Sequence, residues 1–421
     1  MNTIHLKYGR GSIPFEYDPD RFQVLSKKSR LAALTDAQIG AALDAPIGSP
    51  PLSEIVQAGD SVLLVVSDAT RETGSAQIVN LLVRRLIENG VMPGDIKIIF
   101  ATGTHREVTP AEQRELLTPF IVQRIGTLVH NAFDDAAMID LGESIDGVPI
   151  RVNRALRDFD RVITVGVIGF HYFAGFSGGR KSICPGLAAA DTIKATHRLA
   201  LDFDKLGRRE GVGTALLEGN AVNEALERIT ALVPPAFAVN SIINDDGKVA
   251  AVYAGDWRLA HRQACADYLA EHSIQIHEKR DLVVVSSGGW PYDINLIQAH
   301  KALEMASYAC NEGGTIIWLA ECREGLGRPD FLKWFEAKDS HALVERLRDD
   351  YEINGQTAWS LMQKTERFRI LLKSQLPTDD QTRMRIDSPA VALAELSVIP
   401  GFLIPHGAQF LPDLARISHA A

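Results

Sequence analysis

The run His171-Tyr-Phe-Ala-Gly-Phe-Ser-Gly-Gly-Arg-Lys-Ser-Ile-Cys-Pro-Gly186 is the densest group of chemically useful residues in the chain. Gly175, Gly178 and Gly179 let a backbone approach a ligand closely, Ser177 and Ser182 offer hydroxyls, and Arg180 with Lys181 adds charge. That set suits a phosphate-bearing ligand. It is not a P-loop, because Arg180 stands where the Walker pattern needs a glycine before the lysine. The dinucleotide fingerprint is missing too, since Gly211-Val-Gly213 continues to Leu216 instead of a third glycine. A bland turn accounts for two glycines and a lysine, but poorly for all sixteen residues.

Of twelve histidines, His105, His171 and His197 lie in or beside polar segments of this kind. A neutral imidazole is a general base near neutral pH and a common metal ligand. Taken singly, each serves equally well as an ordinary surface or core residue. No HExxH occurs, so spacing assigns no metal. Cys184 offers a soft ligand or nucleophile, but fits better as a small apolar residue. Arg71, Gln298 and Lys301 form a third group: Arg supplies a planar fork for a carboxylate, and Gln298 and Lys301 share one face of an expected helix. They could clamp an acid, or they could be a solvated helix face.

These residues need a scaffold. Ser61-Val-Leu-Leu-Val-Val66 reads as a strand buried on both faces and Ile96-Lys-Ile-Ile-Phe100 as another. Between them Ile78, Val79, Leu82, Val83, Leu86 and Ile87 recur at helical spacing, with Gly90 as a stop. Strand, helix, strand is a βαβ unit of a parallel sheet. Arg161 to Gly169 is a third apolar run, and strand Asp281–Ser286, helix Asn295–Cys310 and strand Gly314–Ala320 repeat the alternation. Asp68 to Arg71, Ala101 to Arg106, His171 onward and Ser286 to Gly289 each follow a strand directly, where open α/β sheets bind ligands. The expected architecture is therefore α/β, two lobes with parallel-type sheets and an interlobe active-site cleft. The boundary falls near the charged stretch Glu271 to Arg280, dividing residues 1–275 from 276–421.

At 421 residues the chain has room for two lobes. Hydrophobic residues at 46% and charged residues at 23% are ordinary globular usage. A net charge of −9 leaves no basic surplus, so no nucleic-acid partner is expected. Met1 to Phe15 has no continuous apolar core of a secretion signal, and no stretch reaches the roughly 18 apolar residues of a membrane span. The four cysteines form no CxxC pair, which points to reduced thiols and a cytoplasmic setting.

Together, Asp68-Ala-Thr-Arg71, Ala101-Thr-Gly-Thr-His-Arg106, the His171 to Gly186 run with its Gly-Phe-Ser-Gly-Gly-Arg-Lys core, His197, and Gly288 to Lys301 resemble the lactate racemase family of nickel-pincer nucleotide-dependent 2-hydroxyacid racemases and epimerases. The segments run in family order over most of the chain. A histidine ten residues before Lys181 and another sixteen after it make the central match specific. The resemblance implies a nickel-pincer nucleotide, a pyridinium mononucleotide whose two sulfur substituents and one ring carbon grip nickel. It implies Lys181 as the cofactor anchor through a thioamide, His197 as the nickel ligand, and Asp68 and Thr70 in the loop contacting the cofactor. His105 and His171 would be the paired acid/base residues, and Arg71, Gln298 and Lys301 the substrate-binding ones. It further implies a small 2-hydroxy acid substrate, inversion at C2 by reversible hydride transfer through a 2-keto acid, cofactor-biosynthesis proteins as maturation partners, and a tail after about residue 360 returning to the first lobe. Tyr292 and His300 beside the clamp point to an acid larger or more hydroxylated than lactate, and Trp359 to a pocket wall. Two other readings compete: a mononuclear metal-dependent hydrolase ligated by the three histidines, and a non-catalytic nucleotide-binding module built on the Gly175 to Gly186 loop.

Overall fold

A computed structural model describes residues 1–26, 31–69, 73–244, 246–389 and 399–414. The chain divides into two compact units, one of residues 29–200 and 209–268, the other of residues 1–28, 201–208 and 269–421.

The first unit is built on a six-stranded sheet in the order Val249–Gly255, Phe237–Ile243, Arg161–Val167, Val62–Ser67, Ile96–Ala101, Gly126–Leu128. All neighbours are parallel except the first pair. Val62 to Val66 are fully buried, which is why that strand reads as an unbroken apolar run. Helix Ser75–Glu88 covers one sheet face: Ile78, Val79, Leu82, Val83 and Leu86 pack with Leu64, Val66, Val165 and Val239. The helix stops where expected, with the Gly90 and Val91 amides capping carbonyls of its last turn.

The second unit holds a five-stranded parallel sheet in the order Arg369–Lys373, Cys310–Leu319, Arg280–Ser286, Gly401–Ile404, Phe22–Val24. Alternate residues serve opposite faces. Val283 and Val285 pack among residues of helices Leu296–Ala309 and Ile353–Arg367. Leu282 and Val284 face the antiparallel hairpin Asn2–Tyr8 and Gly11–Tyr17 through Leu6, with Ile4, Ile13 and Phe15 alongside.

The single cut between 275 and 276 is thus corrected. The chain divides at 268/269, and residues 1–28 and 201–208 join the second unit. The hairpin goes there because its apolar side covers the sheet face that the helices leave bare. Of the tail, Gly401–Ile404 inserts between Arg280–Ser286 and Phe22–Val24, where its backbone pairs on both sides, so it meets residues 22–24, which the single cut had placed in the first lobe. The short excursion Leu201–Arg208 stays with the second unit because Leu201 is buried in that core and Arg208 reaches Glu304 at 3.1 Å.

Candidate active site

Strands Val62–Ser67 and Ile96–Ala101 end in register, Ser67 opposite Ala101, so the chain leaves both at the same sheet edge. Asp68 and His105 therefore meet although thirty-seven residues apart, with His105 Nδ1 2.7 Å from Asp68 Oδ2. A carboxylate only accepts, so Nδ1 carries the hydrogen and the neutral ring keeps its lone pair on Nε2. Asp68 is buried, whereas the His105 side chain is 55% exposed. The His105 loop is tied to the glycine-rich run by Gly103 N–H donating to Gly186 O at 2.9 Å. Thr70 and Arg71 lie outside the described residues.

The glycine-rich run begins as a tight hairpin, Phe170–His171 against Gly175–Phe176. His171 is half-buried and its Nδ1 accepts from Ala174 N–H at 3.3 Å, so the neutral ring carries its hydrogen on Nε2. The two histidines thus hold opposite tautomers. Gly175 and Gly179 have φ of +76° and +50°, and a Cβ there would fall 2.1 Å from Leu216 O and 2.6 Å from the His261 ring. Contrary to the expectation, these glycines accommodate the protein's own atoms.

Next comes the single turn Gly179–Ser182. Lys181 is half-buried, with Nζ 5.7 Å from the centre of the Phe173 ring. Arg180 overturns a second expectation. It is 1% exposed and directs its guanidinium to Ala174 O, Phe176 O and Asn223, so it lends no donor to a phosphate. Cys184 is fully buried and its thiol is pushed up to about 12 by that burial, which removes it as nucleophile or soft ligand.

Helix Ala190–Arg198 supplies His197, buried and donating from Nδ1 to Ile193 O at 2.9 Å. Burial, and after it the nearby Lys181 charge, push this imidazole down to about 3. A neutral ring with Nδ1 bound to a carbonyl presents Nε2 as a coordinating atom, the usual arrangement of a metal-ligating histidine. Phe173 joins the group: its ring lies 4.4 Å from that of His171 and 4.9 Å from that of His197. Three candidates scattered over twenty-seven positions, His171, Lys181 and His197, thus surround one aromatic ring. Among the described residues, no three His, Cys, Asp or Glu side chains gather as a metal-binding group, which counts against the three-histidine hydrolase.

In the second unit, Gln298 and Lys301 stand one turn apart on helix Leu296–Ala309, whose first turn is capped by Asn295 accepting from Gln298 N–H. Lys301 Nζ donates to Gln298 Oε1 at 2.6 Å, so both polar ends converge. His300 on the same helix is 1% exposed and meets Ser360 Oγ at 3.3 Å, and Trp359 is 2% exposed among core residues. Among the described residues, no helix is long and apolar enough to cross a membrane.

Residues 8–207 match the lactate racemase N-terminal domain and residues 276–376 the lactate racemase C-terminal domain. A lactate racemase of Lactiplantibacillus plantarum is 32% identical over 339 residues, 79% of this chain and 77% of that one. The chain belongs to the lactate racemase family. A second lactate racemase, from Thermoanaerobacterium thermosaccharolyticum, is 29% identical over 352 residues, 82% of this chain and 81% of that one. The structure of the lactate racemase apoprotein from that organism matches with a TM-score of 0.88 at 26% identity, covering 98% of this chain and 100% of that one. A Thermotoga maritima protein at 21% identity and TM-score 0.70 shares the fold. As a lactate racemase relative, the protein is an isomerase of the racemase and epimerase class.

For this lactate racemase-family chain, sequence reasoning missed two things. Phe173 was one aromatic of three in its run, and nothing in the pattern singled it out as the shared neighbour. Asp68 was read as a cofactor contact, and its hydrogen bond to His105 depends on strand adjacency. A carboxylate directly after one strand and a histidine in the loop after the next was the available signal.

Proposed function

We propose that the protein is a nickel-pincer nucleotide-dependent racemase or epimerase that inverts C2 of a 2-hydroxy acid, with lactate, named in its relatives, as the first candidate. The observation that carries this reading is the convergence of His171, Lys181 and His197 on the Phe173 ring. The donor set suits the cofactor: Lys181 offers an amine for anchoring, and His197 a neutral Nε2 for nickel. When bound, the nucleotide would supply a hydride acceptor and donor, so that the substrate passes through a 2-keto acid.

The chain's own residues handle protons and orientation. His105, held by Asp68, offers a lone pair at Nε2 and takes the proton of a substrate hydroxyl. His171, with Nδ1 occupied by Ala174 N–H, presents a neutral Nε2–H that hydrogen-bonds the substrate oxygen and steadies the charge there while keeping its own hydrogen. In the reverse direction His105 returns the proton to that oxygen. Arg71, Gln298 and Lys301 bind the substrate carboxylate, the Lys301 ammonium being oriented by Gln298 Oε1. Asp68 acts on the reaction through His105, and Thr70 as a cofactor contact. Cofactor-biosynthesis proteins would deliver the nucleotide, and the cytoplasm is the proposed site.

The test is co-expression with the cofactor-biosynthesis proteins, followed by intact mass, nickel content and chiral analysis of a panel of 2-hydroxy and aldonic acids. An adduct abolished by Lys181→Ala, together with racemisation of one acid, supports the proposal. Stoichiometric nickel loading without racemisation of any acid in the panel would overturn it.

A further inference from the structure

Arg180 precedes Lys181 in the same turn, yet its side chain is 1% exposed while that of Lys181 is half-buried. Its NH2 donates to Ala174 O at 2.7 Å, NH1 to Phe176 O at 3.1 Å and Nε to Asn223 Oδ1 at 2.7 Å, and NH1 lies 2.9 Å from His261 Nε2. No carboxylate among the described residues touches it, and Glu227 acts on it only at a distance. Burying a cation against neutral partners is costly, and an apolar side chain of similar volume would fill the space more cheaply. The contacts suggest what the guanidinium gains. Ala174 is held at both ends, its carbonyl by Arg180 and its N–H on His171 Nδ1. Phe176, the second carbonyl, lies on the strand that pairs with Phe170 and His171. Asn240 steadies the same turn from the sheet by accepting from Gly179 N–H at 2.8 Å.

We propose that Arg180 is a positioning residue for His171: its fork clamps the Ala174 and Phe176 carbonyls, keeps Ala174 N–H on His171 Nδ1, and so fixes the neutral imidazole hydrogen on Nε2 as a hydrogen-bond donor to the substrate oxygen. The proposal rests on the hydrogen-bond-donor role given to His171 above. A lysine at this position keeps the charge but replaces a rigid planar fork by one flexible ammonium, which cannot reproduce three divergent hydrogen bonds.

Nitrogen NMR of the histidine rings in the full-length apoprotein tests the tautomer. The parent should show His171 with Nδ1 unprotonated and Nε2 protonated. Arg180→Lys should show a mixture of both forms at His171 with His105 unchanged. In the cofactor-loaded enzyme, kcat should fall at least about tenfold with KM within about threefold of the parent, the pattern of a lost transition-state contact. An unchanged His171 pattern in Arg180→Lys, or a kcat within twofold of the parent, overturns the proposal. Should Arg180→Lys fail to fold, Asn223→Ala removes the Nε partner, together with the Asn223 contacts to Leu217 O and Glu227, leaves both carbonyl contacts of Arg180 in place, and is judged by the same two readouts. If the loaded parent racemises nothing, the functional reading falls, while the nitrogen pattern still decides the role of Arg180.

Discussion

Arg180 and Lys364 are both buried cations, one in each unit, and their surroundings differ in kind. Arg180 meets carbonyls and an amide oxygen, and through them holds the loop that carries His171. Lys364 forms an ion pair with Glu304, which also binds Arg208 at 3.1 Å, so three chain segments are joined inside the second core. Burial alone would raise the Glu304 carboxyl, but Arg208 and Lys364 together hold it well below the usual carboxylate range. Neutral imidazoles accompany each: His261 beside Arg180 and His300 beside Lys364, both pushed down to about 3, by burial first and then by the neighbouring cation. One unit therefore uses buried charge to orient a backbone, and the other to lock helices. The first should be sensed in rates and the second in stability.

The largest effects should divide along that line. His105→Ala and His171→Ala should each cost on the order of 10² to 10⁴ in kcat while nickel stays bound, read by chiral assay and metal analysis of the same sample. Little change in unfolding is expected for His105, whose side chain is 55% exposed. Glu304→Ala should do the opposite, destabilising the fold by about 3–5 kcal/mol because Lys364 is left buried without its partner. Urea unfolding measures it, and a loss below about 1 kcal/mol would erase the contrast between the units.

A smaller effect concerns pH. His130, pushed down to about 4 by burial, and His261, at about 3, are neutral in the folded protein, whereas an unfolded histidine titrates near 6.5. Between those values the unfolded chain binds more protons, so stability is fully present above pH 6.5 and is lost as pH falls toward 3 or 4. Each such histidine contributes a slope of up to about 1.4 kcal/mol per pH unit. His130→Asn should flatten the acid limb of the apoprotein stability curve, and an unaltered limb would show that the burial of His130 is not felt. The smallest effect belongs to an exposed pair: Asp158→Ala, which removes the surface contact with Arg154 at 3.0 Å, should change stability by no more than about 0.5 kcal/mol.

Much of this was legible in the residues themselves. Helix Ser75–Glu88 and strands Val62–Ser67, Ile96–Ala101 and Arg280–Ser286 lie within a residue or two of their expected bounds, because apolar periodicity and the glycine stop are local signals. The glycine-rich run was found, but not the direction of Arg180, because adjacent side chains on a turn part only when a neighbouring core accepts one of them. The membership of the first 28 residues was likewise hidden, since an amphipathic hairpin does not say which sheet it will cover.

The sequence by itself determined the α/β alternation, the family, and which residue types could anchor a nucleotide, bind a metal or move a proton, since these follow from composition and local spacing. Tertiary structure alone decided that Asp68 orients His105, that Phe173 is the common neighbour of His171, Lys181 and His197, and that two histidines of like type carry their hydrogens on different nitrogens. The reason is physical: a tautomer is set by whichever donor or acceptor the fold brings within about 3 Å, and strand register makes that choice.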